Sequence, residues 1–217
     1  MEKYRYTEHE IGYQVGRALR PWRPQYPIIV SWVKKGAKIL DVGCGDGVLG
    51  ERLIKEKNCT VYGIDLDEVG VAEAKRRGVK AKVWDIDSGL PFGDKSFDVV
   101  IANEVLQYTS NPNFVVAELL RVGQTTIISF PNFGFWLYRI LHLSGRFPKI
   151  ALYGENWWDT NQTKFFSFAD FLSLPSMKTV TIEKAAFINW RNRKVSFLAR
   201  FFPNFFARSC ILEITSN

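Results

Sequence analysis

Continuous apolar runs recur through the middle of the chain, separated by stretches in which apolar residues fall three and four apart, the pattern of buried strands alternating with amphipathic helices. The run opening at Ile39, then Thr60 to Leu66, Lys80 to Ile86, Phe97 to Ala102 and Thr126 to Phe130 read as strands. Between them, Val48 to Lys57 carries Leu49, Leu53 and Ile54 on one face. Asp67 is a good N-cap for a helix from Glu68 to Arg77 that Gly78 closes, and Asn111 caps a third helix with Pro112 at its first position and Gly123 at its end. Strands that are apolar throughout are covered on both faces. Their alternation with helices implies right-handed crossovers and a Rossmann-like, doubly wound α/β sheet whose ligands lie at the carboxyl ends of the strands.

The flanks differ from this middle. Residues 1–36 predict an N-terminal helical piece, with a helix from His9 to Leu19, a proline-rich RPWRPQYP and a short helical pattern from Ile28 to Val33. Beyond Phe130, Pro131 to Tyr138 opens a helix reaching about Leu143, and Gly145 to Thr163 is long, aromatic and without period. The tryptophans Trp157 and Trp158 argue against disorder there, and the position of Pro131 to Thr163 after the fifth strand predicts a cover over the ligand pocket. Ser167 caps a helix from Phe168 to Leu174, stopped by Pro175; Lys178 to Ile188 and Ser209 to Ile214 then predict an antiparallel hairpin joined through a basic, aromatic FFPNFF connection. A single domain spanning 1–217 is expected, divided into 1–36, a core at 37–130, a substrate or partner segment at 131–175 and terminal strands at 176–217.

The first strand ends in ILDVGCGDG, Ile39 to Gly47, with three glycines at alternate positions. Glycine is required where the backbone takes positive φ or meets a ligand directly. The second strand ends in a carboxylate, Asp65, placed to accept both hydroxyls of a ribose, a pairing shared by dinucleotide and S-adenosylmethionine sites. The G-C-G-D-G spacing differs from G-x-G-x-x-G. Acidic Asp41 and Asp46 would repel a diphosphate, whereas a sulfonium with an amino group is compatible with them.

Composition adds exclusions. The 47% hydrophobic and 24% charged content is that of a globular protein. Cys44, Cys59 and Cys210 are odd in number and lack CxxC, so neither a disulfide scaffold nor a metal site is expected. An acidic N-terminus without an apolar core, and tail apolar residues interrupted by Arg200, Pro203 and Arg208, suggest a cytoplasmic protein without a membrane partner. The net charge of +7 sits mainly at the ends: residues 27–187 carry +1, residues 1–26 carry +2 and residues 188–217 carry +4. Nucleic acid is therefore not the expected partner, and Arg191, Arg193 and Lys194 read as a solvated loop. With only His9 and His142 no Ser/His/Asp set exists, and His142 reads as a partly buried structural residue. Phe133, Phe135, Trp136, Trp157 and Trp158 read as core in preference to a pocket or partner surface.

DVGCGDG, Asp65, Asp85-Ile86, Pro91-Phe92, the Ser96-Phe97-Asp98 triplet and NEVLQY at Asn103 to Tyr108 together resemble the class I S-adenosylmethionine-dependent methyltransferases. The resemblance implies cofactor contacts from Asp41, Gly43, Cys44, Gly45, Gly47, Asp65, Leu66, Asp85, Ile86, Asn103 and Glu104. A narrower likeness covers Arg23 to the end: RPQYPIIVSWV, RVG at Arg121 to Gly123, SFPNFG at Ser129 to Gly134, Trp136, Arg139, Gly145-Arg146, Pro148, WWDT at Trp157 to Thr160 and Asp170-Phe171 are similar to the MetW proteins of methionine biosynthesis. The chain departs from that family at Lys164, where histidine is usual, and at Gln162 and Thr163. The likeness implies either a methyltransferase whose acceptor is unidentified or a non-catalytic, cofactor-sensing partner of homoserine O-acyltransferase. Tyr108, Trp136, Arg139 and Lys164 are the candidates to face an acceptor or partner. A nicotinamide-dependent oxidoreductase is the third and weakest reading, because the loop spacing is wrong for it.

Overall fold

The computed structural model describes residues 23–147, 163–189 and 197–216. The expected helix from His9 to Leu19, the tryptophans Trp157 and Trp158 and the basic cluster Arg191, Arg193 and Lys194 lie outside them.

Helix α1 (Tyr26–Trp32) leads into β1 (Lys38–Val42), α2 (Val48–Lys57), β2 (Thr60–Asp65), α3 (Glu68–Arg76), β3 (Lys80–Val83), β4 (Phe97–Asn103), α4 (Pro112–Val122) and β5 (Gly123–Pro131). After β5 come α5 (Trp136–Leu143), α6 (Phe168–Leu172), β6 (Val180–Ile188), the short helices α7 (Phe197–Phe201) and α8 (Pro203–Phe206), and β7 (Ser209–Ser216). The described strands form one seven-stranded sheet in the order β3-β2-β1-β4-β5-β7-β6. Neighbours from β3 through β5 run parallel, while β7 is antiparallel to both β5 and β6. The expected doubly wound sheet with an antiparallel end is thus the observed one.

Both faces are covered, which is why the central strands are apolar at successive positions. Leu40, Val42, Val100, Phe130 and Leu212 pack beneath α4 on one face; Ile39, Val61, Ile101, Ile127 and Ile211 pack against α1, α2 and α3 on the other. The caps read from sequence are present: the Asp67 carboxylate accepts from Val69 N–H at 3.1 Å, the Asn111 side chain from Phe114 N–H at 3.1 Å, and Ser167 and Asp170 form a reciprocal capping box.

Several boundaries differ for identifiable reasons. The third strand stops at Val83, not Ile86, because its partner β2 ends at Asp65, Trp84 N–H to the Asp65 carbonyl at 3.0 Å being the last bond of the ladder, and Asp85 then caps a 3₁₀ turn over Ile86–Ser88. Gly123 ends α4 but is also the first residue of β5, so helix passes into strand with no connecting residue. Pro131 belongs to β5 and Asn132 to Phe135 form a turn, so the following helix begins only at Trp136. The helix after Ser167 ends at Leu172 and a 3₁₀ turn, Pro175–Thr179, delays β6 to Val180. The FFPNFF connection is α7 and α8. His142 is exposed against the Phe147 ring, not partly buried.

Candidate functional site

The strand order reverses direction between β1 and β4, and the carboxyl ends of the strands there open into a cavity of about 340 Å³. That volume lies in the range of small-ligand pockets. Its walls are Arg23 and Tyr26 before and at the start of α1, the loop Asp41 to Asp46 with Leu49 behind it, Asp65 and Asp67 after β2, Val69, Gly70 and Glu73 on α3, and Asn103 at the end of β4.

The glycine loop is folded by its own hydrogen bonds. The amides of Gly43 and Cys44 both donate to the Ile64 carbonyl, at 2.8 and 3.0 Å, Gly45 N–H donates to Asp65 Oδ2 at 2.7 Å, and Gly47 N–H to the Cys44 carbonyl at 2.9 Å. All four donors are therefore engaged inside the protein, unlike a phosphate cradle, whose amides point at the ligand.

Gly45 and Gly47 both have positive φ, at 52° and 78°, yet face different surroundings. A Cβ on Gly47 would lie 2.6 Å from Ala74 Cα in the backbone of α3, whereas a Cβ on Gly45 would meet nothing within 4 Å. Gly47 is bare so that helix and loop can touch; Gly45 is bare beneath open space. A group lying against the loop there would occupy the volume a side chain would take.

Asp65 is held from both sides, since Oδ1 accepts from Asp67 N–H at 2.9 Å while Oδ2 takes Gly45 N–H. A carboxylate offers about four lone-pair positions, so each oxygen retains one. Asp41 is 2% exposed, and burial, reinforced by the neighbouring Asp65 charge, pushes its pKa from 3.8 up to about 7. Arg23 opposes that rise. The Tyr26 phenol is pushed up to about 12, chiefly by burial, and the Cys44 thiol is raised well above its ordinary value, again by burial first, so both remain protonated at neutral pH.

The structure brings Asp41, Gly43, Cys44, Gly45, Asp65 and Asn103 together in the cavity wall. Gly47 supports the loop from behind. Leu66, Asp85 and Ile86 do not line the cavity: they follow β2 and β3 at the same sheet edge, with Leu66 65% exposed and Asp85 accepting Asp87 N–H at 2.9 Å. Asn103 Oδ1 accepts from Ser129 Oγ at 2.6 Å. Glu104, at φ 57°, is not in the cavity wall; its carboxylate accepts from Gln25 Nε2 at 2.6 Å, with the Arg23 guanidinium 3.9 Å away.

Tyr108, Trp136, Arg139 and Lys164 are all outside the cavity wall. Tyr108 closes a 3₁₀ turn, and Lys164 is tied beside it by its N–H to the Gln107 carbonyl at 3.1 Å. Trp136 and Arg139 sit on α5, where Arg139 Nε donates to the Gly134 carbonyl at 2.6 Å. The stretch from Pro131 was expected to cover the pocket, but its described part supplies no wall. Arg23 and Tyr26, which do, were missed as site residues. Their signal was the RPQYP segment, in which Arg23 precedes one proline and Tyr26 the next at the entry to the first helix. Of the aromatics, Phe135 is core, whereas Phe133 and Trp136 are half-buried.

A parallel sheet in this order, completed by an antiparallel pair and bearing a glycine loop and a carboxylate at adjoining strand ends, is the class I methyltransferase fold. Within that class the chain belongs to the MetW family: the family model described as methionine biosynthesis protein MetW matches residues 23–214. The chain is 32% identical over 173 residues to the bifunctional methionine biosynthesis protein MetXA/MetW of Rhodopirellula baltica, an alignment covering 73% of this chain and 27% of that protein. The chain spans about half or less of the length of the curated relatives it matches. Among solved structures it superposes on a TehB-like SAM-dependent methyltransferase from Corynebacterium glutamicum with a TM-score of 0.64 at 21% identity, covering 97% of this chain and 98% of the other. Magnesium protoporphyrin IX methyltransferase from Synechocystis PCC 6803, solved with bound SAH, gives 0.63 at 19% identity over 100% of this chain and 90% of that one. No described helix is long and apolar enough to cross a membrane.

Proposed function

We propose that residues 1–217 act as one unit that binds S-adenosylmethionine in the cavity beside Gly45 and serves methionine biosynthesis. The observation that carries this reading is an acidic cavity with Gly45 beneath open space and the loop amides already engaged. Asp41, Asp46, Asp65, Asp67 and Glu73 favour a ligand bearing a sulfonium and an ammonium, and the engaged amides give a pyrophosphate little to hold.

The residues fit that ligand in detail. Asp65 retains acceptor capacity on each oxygen for a ribose diol, Asp41 supplies a carboxylate for the ammonium, and Arg23 a guanidinium for the methionyl carboxylate. Leu66, Asp85 and Ile86 stand at the flank where an adenine would extend. When bound, S-adenosylmethionine supplies an electrophilic methyl on a good leaving group. The protein's part is then to align an acceptor and exclude water.

A second reading is favoured by the relative in which MetXA and MetW share one polypeptide. In it the chain senses the cofactor and acts on a homoserine O-acyltransferase through the half-buried aromatic surface around Phe133 and Trp136. Titration calorimetry tests the first reading: S-adenosylmethionine binds and NAD does not, and equal binding of NAD overturns it. Copurification with the native acyltransferase, with and without S-adenosylmethionine, tests the second. A complex whose affinity changes with the cofactor supports it; no complex at micromolar concentration, with methylation of a free metabolite, removes it.

A further inference from the structure

We propose that the outer face of α7 and α8 is a docking surface for an anionic phospholipid bilayer. The proposal is independent of what the cavity binds. Phe202 N–H donates to the Leu198 carbonyl and Phe206 N–H to that of Phe202, while Phe202 itself, at φ −129° and ψ 60°, breaks the helix, so α7 and α8 are two short helices joined at one non-helical residue. Leu198 and Phe201 on α7, Phe202 at the break and Phe205 on α8 are the large apolar side chains this segment leaves exposed. They are 53%, 63%, 62% and 43% exposed.

This outward display is enforced from within. Ala199 and Ala207 are fully buried, and the Asn132 amide, itself buried, donates to the carbonyls of Pro203, Asn204 and Ala207 at 3.3, 3.2 and 2.7 Å. Asn204 Oδ1 in turn accepts from Ala169 N–H at 3.3 Å. The inner side of the segment is thus pinned to the turn after β5 and to α6, and the stripe cannot rotate inward without breaking these bonds.

Charge identifies what the stripe meets. From Ala185 through Leu212, and again from Pro131 through Phe147, the sequence contains no Asp or Glu. Arg200 is exposed between Leu198 and Phe201, and the Arg139 guanidinium lies 5.8 Å from the centre of the Phe205 ring. The neighbouring carboxylate, Asp170 on α6, is held by the N–H and hydroxyl of Ser167. An apolar stripe with a cationic border matches an interface that offers acyl chains and phosphates together, with cations at headgroup level and rings just below. A protein partner would need a groove cut to four convex side chains with an acidic rim; a bilayer needs neither. Helices this short lie along the surface and do not cross it.

Vesicle sedimentation of the full chain tests this, with phosphatidylcholine vesicles against vesicles of phosphatidylcholine mixed with phosphatidylglycerol. The expected result is binding to the mixed vesicles, weakened by salt, and little to phosphatidylcholine alone. The double variant Phe201→Ser/Phe202→Ser should lower the partition coefficient at least about tenfold, given the burial value of a phenylalanine. Arg200→Glu, at an exposed position, should lower it by about tenfold with an unchanged melting temperature and S-adenosylmethionine affinity; it carries the test if the double variant fails to fold. Failure to sediment with anionic vesicles overturns the proposal, as does binding that neither variant alters. So does a dimer, or a complex with an acyltransferase, that the variants dissociate while vesicles are ignored.

Discussion

The ends of β1, β2 and β4 and the segment that leaves β5 are made of opposite materials. Around the cavity, Asp41, Asp46, Asp65, Asp67 and Glu73 converge with Arg23 as the opposing charge in the wall, and the backbone is fixed by glycines at positive φ. From Pro131 to Phe147 there is no carboxylate at all, and the surface is built from rings and arginines. The cavity concentrates negative charge where water is scarce, which pushes Asp41 up to about 7. The β5 side presents positive charge outward, where solvent tolerates it. A cation is therefore the natural occupant of the first region, and an apolar surface with negative charge the natural neighbour of the second.

The largest effect that would sharpen this contrast lies in the loop. Gly47→Val should destabilise the protein by about 3 kcal/mol or more, because the side chain meets the α3 backbone at a left-handed position. Gly45→Ala should cost only about 1–2 kcal/mol for the positive φ while greatly reducing S-adenosylmethionine affinity. Denaturation midpoints and calorimetry on both variants decide this; a Gly45→Ala protein with unchanged affinity would remove the loop from the site.

Next in size, Asp65→Ala should weaken the cofactor by about 1.5–3 kcal/mol, the range for hydrogen bonds to a charged group. Asp65→Asn should recover part of it by keeping the acceptor Oδ1. NAD affinity rising in either variant would mean that the acidic wall is what excludes the dinucleotide.

The pH profile comes third. Because the Asp41 pKa is raised in the folded protein, its protonated form contributes stability that is full below the ordinary value of 3.8 and is lost as pH climbs through about 7. A cationic ligand reverses the preference, so its affinity should rise with pH, by up to about tenfold per unit below about 7, and then level off. Asp41→Asn should flatten the profile. The smallest expected effect is that of Trp136→Ala, which lies outside the cavity wall: cofactor affinity should change by less than about twofold while acyltransferase affinity falls with the loss of a large half-buried aromatic from the proposed partner surface.

The strands, helices and caps of the middle of the chain were legible because each rests on local chemistry: a carboxylate two residues before an amide, a proline at the first turn, an unbroken apolar run. The third strand was overdrawn because Trp84 and Ile86 continue the apolar pattern, whereas its partner β2 ends at Asp65 and the 3₁₀ turn capped by Asp85 takes over. The loop, Asp41, Asp65 and Asn103, which the structure brings into one cavity wall, were legible as candidates because spacing encodes them. Arg23 and Tyr26 were not, since their place depends on Gln25 reaching Glu104, 79 positions away, a contact no local pattern announces. The Gly70 approach to the Gly45 backbone is of the same kind: a Cβ there would come within 3.0 Å, yet in sequence it is one more glycine in a helix.

The sheet order has a consequence for how such a molecule is made. β7 follows β6 in the chain, but in the sheet it lies between β5 and β6. On a ribosome, which delivers the polypeptide from one end, β6 emerges before it has any strand to pair with, and the flank of β5 stays open until Ser209–Ser216 clears the exit tunnel. An open strand flank is a template for pairing with other chains. The final arrangement is therefore a wedge driven into a gap, and the interval before it arrives is when a nascent chain is most exposed to misassembly and most in need of a chaperone.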